Sequence, residues 1–201
     1  MTFVCLDFET ANSDCASACS VGVAVFENGV PVRTEEQLIL PHDSCRWFSP
    51  FNVQIHGITP RMVSDAPEFP GIAPHLFRIL RSGRVIAHNA AFDIGVLRAL
   101  CLRYGEPFPE IEYFCTCKAA RRLWRGLPNH RLDTLCRYIG HDFRHHQAGA
   151  DAEAAGRVYL AMLQETSCGT PEEFDGYIGI RPGKLSASGE IPCKALPGRR
   201  K

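Results

Sequence analysis

The stretch Phe3-Val4-Cys5-Leu6-Asp7-Phe8-Glu9-Thr10 restricts what this chain can fold into more than any other part of it. Its apolar run has the character of a β-strand, in which successive side chains alternate faces. Asp7 and Glu9 then project from one face while Val4, Leu6 and Phe8 fill the other. Two acids held side by side at the end of a core strand repel each other, and burial adds a desolvation cost. A multivalent cation reverses the sign of that interaction.

The flanking sequence supplies the rest of a sheet. Ser20 to Phe26 is a second strand, Glu27-Asn28-Gly29 carries the Asn-Gly hairpin signal, and Val30 to Leu40 returns as a third. Phe51 to Pro60 reads as short helical turns, with Pro60 placed to open a helix carrying Met62 and Val63. Pro74 to Leu80 has helical spacing. Arg84-Val85-Ile86-Ala87 is a short strand that runs through His88-Asn89 into an apolar helix from about Ala91 to Tyr104. A strand entering a helix directly is half of a βαβ unit, so the sheet is expected to be mixed. Glu112 to Cys115 is a fifth strand candidate, and helices are expected at Lys118 to Trp124, Arg131 to Ile139 and Ala150 to Glu165.

Composition matters mainly for what it excludes. With 201 residues and 45% hydrophobic content the chain fits one domain and a tail. The 22 basic and 22 acidic residues cancel, so the whole molecule does not advertise a polyanion partner. The N-terminus has no basic region or long apolar run, which argues against a signal peptide. The ten cysteines are therefore expected as reduced thiols in the cytoplasm. No segment has the roughly 18 apolar residues of a membrane span.

Two further acids stand out by position. Asp93 falls in the first turn of the 91–104 helix, where backbone amides and the helix dipole favour negative charge. Serving that helix end is one reading, as an N-cap is for Asn89. Asp151 shares the apolar stripe of Ala154, Ala155, Val158 and Met162, so it is either satisfied by backbone amides or part of a metal cage. Five residues earlier His146 lies in a loop, and histidine is the commonest general base.

Taken together these residues resemble the DEDDh (DnaQ-like) family of 3′-to-5′ exonucleases. Phe3 to Asn12 matches the first motif, with Asp7 and Glu9. Ala87-His88-Asn89-Ala90-Ala91-Phe92-Asp93 matches the second. His146-Gln147-Ala148-Gly149-Ala150-Asp151 matches the third, and its His-x-x-x-x-Asp spacing selects His146 over His145. Ile55-His56-Gly57-Ile58-Thr59 and Arg131 to Cys136 also look like the family, so the match runs over roughly residues 2 to 165.

The resemblance implies an RNase H-like α/β fold, a five-stranded mixed β-sheet flanked by α-helices. It implies two Mg²⁺ or Mn²⁺ ions held by Asp7, Glu9, Asp93 and Asp151, with His146 as general base in a two-metal hydrolysis that releases nucleoside 5′-monophosphates. Thr10, Ala11, His56, Ile58, Asn89 and Phe92 would line the terminal-nucleotide site, although Ile58 and Phe92 read equally well as core and His56 as structural. The implied substrate is nucleic acid with a free 3′ end, DNA favoured for proofreading or repair. An RNA-trimming enzyme of the same superfamily is the alternative, followed by an inactive binding module.

Two stretches outside the motifs carry charge. Residues 118–144 hold seven basic side chains against Asp133 and Asp142, either a phosphate-tracking surface or a solvated helical face. Residues 1–167 are expected to form the exonuclease domain. Residues 168–201 are expected to be a flexible, basic tail rich in Gly, Pro and Ser, a candidate tether to a polymerase, another protein partner or nucleic acid.

Overall fold

The computed structural model describes residues 1–142 and 147–197. Strands β1 (Thr2–Thr10), β2 (Ala18–Glu27) and β3 (Val30–Leu38) form the expected antiparallel meander. Asn28 and Gly29 turn it with φ of 50° and 81°, the left-handed conformation that Asn and Gly tolerate. Helices α1 (Pro50–His56) and α2 (Phe69–Leu80) follow, and then β4 (Arg84–Ala87) pairs parallel to β1. Beyond it lie α3 (Ala91–Tyr104) and β5 (Ile111–Cys115), which is parallel to β4. Next come α4 (Thr116–Leu123), α5 (Leu132–Tyr138) and α6 (Ala148–Thr166). The helix expected from Pro60 is only a run of turns, and α2 begins earlier than its apolar spacing suggested.

Three layers result. Val21 and Val23 of β2 face Ile72 and Leu76 of α2, while Gly22 between them faces the start of α6 on the other side. Alternation along one strand thus feeds both sides of the sheet. The core includes Leu6, Phe26, Ile86, Leu97, Phe114, Val158 and Met162, all fully or almost fully buried. Helix α6 lies across β1, β2 and β3. Its close approach depends on Gly156, where an added Cβ would come within 2.3 Å of the Phe26 ring.

Two expectations are corrected here. The sheet has seven strands rather than five, two more being added beyond β5 in the order β3-β2-β1-β4-β5. The additional strands come from the expected flexible tail, in which residues 171–195 form α7 (Pro171–Ile178), β6 (Ile180–Arg181), β7 (Gly183–Ser186), β8 (Gly189–Ile191) and β9 (Lys194–Ala195). β5 otherwise ends the sheet with unpaired amides and carbonyls, and β7 covers that edge antiparallel, Ile111 opposite Leu185 and Tyr113 opposite Gly183. Gly183 permits it, because a Cβ there would meet the Tyr113 ring at 2.2 Å.

Buried anchors hold the segment down: Phe174, Ile178, Ile180, Leu185 and Cys193. Among the described residues no helix is long and apolar enough to cross a membrane.

Candidate active site

The site forms at the carboxyl end of β1. Asp7 lies opposite Gly22 of β2 and Glu9 opposite Ser20. Gly22 decides how near α6 can come, since a Cβ on it would stand 2.0 Å from the carbonyl of Ala148. Without that obstacle the first turn of α6 drops onto the strand pair and brings Asp151 to the β1 acids. One carboxylate oxygen from each of Asp7, Glu9 and Asp151 lies within 4.8 Å of the others.

Asp93 enters from the first turn of α3, 1% exposed. Its Oδ1 accepts a hydrogen bond of 3.0 Å from the Phe8 amide, which ties the helix to the strand between Asp7 and Glu9. Its Oδ2 is buried with no hydrogen-bond partner among the described residues. Glu36 on β3 stands beside the group. Its carboxylate accepts from Ser20 Oγ at 3.1 Å and from the Gly149 amide at 3.4 Å, fixing the start of α6.

So many acids in one place shift one another. Burial first, then Asp93, Asp151, Glu9 and Glu36, hold the Asp7 carboxyl well above the usual carboxylate range. Burial, then Asp151 and Glu36, pushes Glu9 up to about 7. Asp93 rises to about 8, chiefly from burial and against the lowering effect of the Phe8 and Asp93 backbone amides. None of the ion pairs among the described residues includes Asp7, Glu9 or Asp93. A divalent cation would supply positive charge among these acids, and an all-oxygen donor set fits a hard ion. The converging oxygens and the buried Asp93 Oδ2 agree with that fit.

The residues expected around the terminal nucleotide divide into two groups. Thr10, Ala11, His56 and Ile58 cluster behind the end of β1, all buried. The Ile58 amide donates to His56 Nδ1 at 3.0 Å, so Nε2 carries the proton and faces the Thr10 carbonyl at 3.2 Å. His56 therefore links the strand end at Thr10 to the loop at Ile58 through its two ring nitrogens. Asn89 and Phe92 lie at the start of α3, Asn89 with φ of 62° and Phe92 exposed. His146 lies outside the described residues.

Sequence reasoning missed Gly22, Glu36 and Asn12. Asn12 is buried and donates through Nδ2 to the Cys45 carbonyl at 2.9 Å and the Trp47 carbonyl at 2.6 Å, holding the following loop against the site. A glycine inside a strand pattern is itself a sign of close backbone approach, so Gly22 had a readable signal. Glu36 had none, because its relevance depends on the β2–β3 register.

Comparison with known proteins adds an independent line. A family model described as "Exonuclease" (RNase_T) matches residues 4–159. The chain is 31% identical over 173 residues to a DNA polymerase III PolC-type protein of Oceanobacillus iheyensis, covering 81% of this chain and 11% of that protein. It is 39% identical over 116 residues to the DNA polymerase III subunit epsilon of Buchnera aphidicola, covering 54% of this chain and 49% of that subunit. The chain thus spans between about a tenth and a half of these curated relatives.

Among solved structures, exonuclease X in complex with 5′ overhanging duplex DNA aligns with a TM-score of 0.71 and 26% identity, over 88% of this chain and 99% of that one. The nuclease domain of a DEDDh family member bound to rAMP shares the fold, with a TM-score of 0.68 at 17% identity over 82% of this chain and 92% of that one.

Proposed function

The chain belongs to the exonuclease family, as a DEDDh-type 3′-5′ exonuclease of the RNase H-like superfamily, and on that premise we propose that it trims DNA from its 3′ end. The substrate is a single-stranded 3′ terminus met in proofreading or repair, and the products are nucleoside 5′-monophosphates. The observation that carries this reading is the convergence of Asp7, Glu9 and Asp151 within 4.8 Å beside a buried Asp93.

In this reading Asp7, Glu9 and Asp151 hold two Mg²⁺ or Mn²⁺ ions, with Asp93 assisting. When bound, such ions stabilise both the attacking and the leaving oxygen of an in-line displacement. His146 accepts the proton of the attacking water on a ring nitrogen. Thr10, Ala11, His56, Ile58, Asn89 and Phe92 position the terminal nucleotide. Ala11 and Ile58 are fully or nearly buried, so Ala11 contributes through its backbone, whereas the exposed Phe92 ring is open to a base.

The DNA preference draws support from the polymerase III relatives, and association with a polymerase is part of the same proposal. Such association is not assigned to residues 171–195, which are committed to the fold. Ten free cysteines favour a reducing, cytoplasmic setting.

The test is digestion of matched 5′-labelled DNA and RNA oligonucleotides with added Mg²⁺ or Mn²⁺. Wild-type protein should shorten the DNA from its 3′ end and release 5′-monophosphates, while Asp7→Ala and His146→Ala fold without doing so. Preferential digestion of the RNA would select the RNA-trimming alternative. Full activity in either variant would reject the site assignment.

A further inference from the structure

Residues 118–144 carry seven basic side chains, and the structure separates them by what they already hold. Lys118 Nζ donates to the Cys193 carbonyl. Arg122 donates through Nη1 to the Ile178 carbonyl at 2.9 Å and through Nη2 to the Leu196 carbonyl. These two side chains clamp the C-terminal segment onto α4. Arg137 pairs with Asp133 at 2.9 Å, and Arg125 Nε reaches the Arg122 carbonyl at 3.2 Å. Arg144 lies outside the described residues.

Arg121 and Arg131 are different. Both are exposed, and neither takes part in an ion pair among the described residues. Together with His88, Asn89 and Asn129 they line a concavity of about 450 Å³. Cys117 lines the same concavity; burial raises its thiol pKa, and Arg121 lies near enough for the guanidinium to lower it against that larger effect.

The walls are fixed in place. His88 engages Thr116 Oγ1 through Nδ1 and the His130 carbonyl through Nε2, both at 3.0 Å. Asn129 Oδ1 accepts from the Arg131 amide at 3.0 Å, and His130 Nε2 meets the Trp124 carbonyl at 3.1 Å. The backbone presenting Arg131 is therefore pre-set, which lowers the entropy cost of binding an anion.

Position relates the concavity to the catalytic carboxylates. His88 follows the last residue of β4 and Thr116 the last residue of β5, and both strands run parallel with β1. The concavity thus opens on the same edge of the sheet as Glu9, where ligands of α/β sheets gather. Adjacent strands are about 5 Å apart, so the ends of β4 and β5 that carry His88 and Thr116 lie within roughly 10 Å of β1 across the sheet.

We propose that Arg121 and Arg131, assisted by Asn129, form a subsite for a backbone phosphate of the nucleic-acid strand upstream of the cleaved bond. The inference rests on the exonuclease reading above and adds where the retained strand is held. Two planar guanidinium forks suit a phosphodiester, and contact with phosphate alone makes the grip independent of base sequence.

The test compares two substrates in the full chain. One is a fluorescent single-stranded DNA oligonucleotide; the other is a p-nitrophenyl ester of a nucleoside 5′-phosphate, which has no upstream strand. In Arg121→Ala and Arg131→Ala the ratio of kcat/KM for oligonucleotide over ester should fall roughly tenfold, the scale of a lost charged hydrogen bond. The slope of log affinity against log salt, measured by fluorescence anisotropy without divalent ions, should weaken by about 0.7 per lost contact. Arg131→Lys should recover most of the salt slope and only part of the affinity.

An unchanged salt slope and ratio would overturn the subsite. So would an equal fall on both substrates, which would place the arginines at the cleavage centre instead. If wild type hydrolyses neither substrate with Mg²⁺ or Mn²⁺, the exonuclease reading fails, while the anisotropy series still decides the phosphate contact.

Discussion

Two groups of acids contrast among the described residues: one surrounds a guanidinium, whereas in the other none of Asp7, Glu9 and Asp93 takes part in an ion pair. Around Arg84, on β4, the carboxylates of Asp175, Glu112 and Glu172 converge, with Nη1 to Asp175 at 2.9 Å and Nη2 to Glu112 at 2.6 Å and Glu172 at 3.3 Å. At the end of β1 the carboxylates of Asp7, Glu9 and Asp151 converge within 4.8 Å, with Asp93 and Glu36 near, and no guanidinium stands among the interactions that shift Asp7 or Glu9. The first group fastens α7 to β4. The second crowds carboxylates at the end of β1, the arrangement that a cation site uses.

The pKa shifts reflect the same contrast. Burial raises Asp175 to about 6 even though Arg84 pulls it down, whereas Glu9 reaches about 7 and Asp93 about 8. Raised carboxyl pKa values mean that the folded state keeps protons the unfolded state has lost. Stability from these groups is full below the unfolded values near 4 and is lost as pH rises through the folded ones. Divalent ions should restore it by competing for the same oxygens.

Removing the internal counter-charge gives the largest expected effect. Arg84→Met should leave three acids facing one another and destabilise the fold by about 3–5 kcal/mol, read from chemical denaturation. The protein that remains folded should keep its kcat; a parallel collapse of kcat would erase the distinction between the groups. On the other side, Asp7→Ala should lower exonuclease activity by about 10²–10³-fold while folding as well as wild type. A large loss of stability instead would make Asp7 a structural acid like Asp175.

A smaller effect probes the backbone that assembles the site. Gly22→Ala forces a Cβ into the carbonyl of Ala148 and should cost about 1–3 kcal/mol, with activity falling further than stability because Asp151 moves away from Asp7. Equal activity per folded molecule would show that α6 tolerates the shift. The smallest is a stability gain: Asp7→Asn in metal-free buffer should raise the Tm by a few degrees at pH 8, about 1 kcal/mol, and by little at pH 5. Saturating Mg²⁺ or Mn²⁺ should close that gap. A gain at pH 5 as large as that at pH 8 would remove charge repulsion as its cause.

Strand β1 was legible because its information is local. Alternation from Phe3 to Thr10 fixes which residues share a face, and the apolar stripe of α6 puts Asp151 on the buried side. Five strands and the α3 and α6 helices could be read in the same way. Residues 171–195 could not, since their composition signals turns and tail. Only the free edge of β5, and the acceptors waiting for Lys118 and Arg122, make them part of the sheet.

The basic stretch 118–144 shows the same limit, for sequence counts charges without saying which are already paired. What the sequence alone determined is therefore the kind of centre: acids at strand and helix ends, in the order and spacing of a 3′-5′ exonuclease family. What tertiary structure decided is which charges remain to be answered. Arg84 neutralises one group of carboxylates, Gly22 lets α6 close the other, and Arg121 and Arg131 are left facing outward. The reason is physical: periodicity is written in neighbouring residues, whereas compensation of charge depends on residues far apart in the chain, and distance sets its strength.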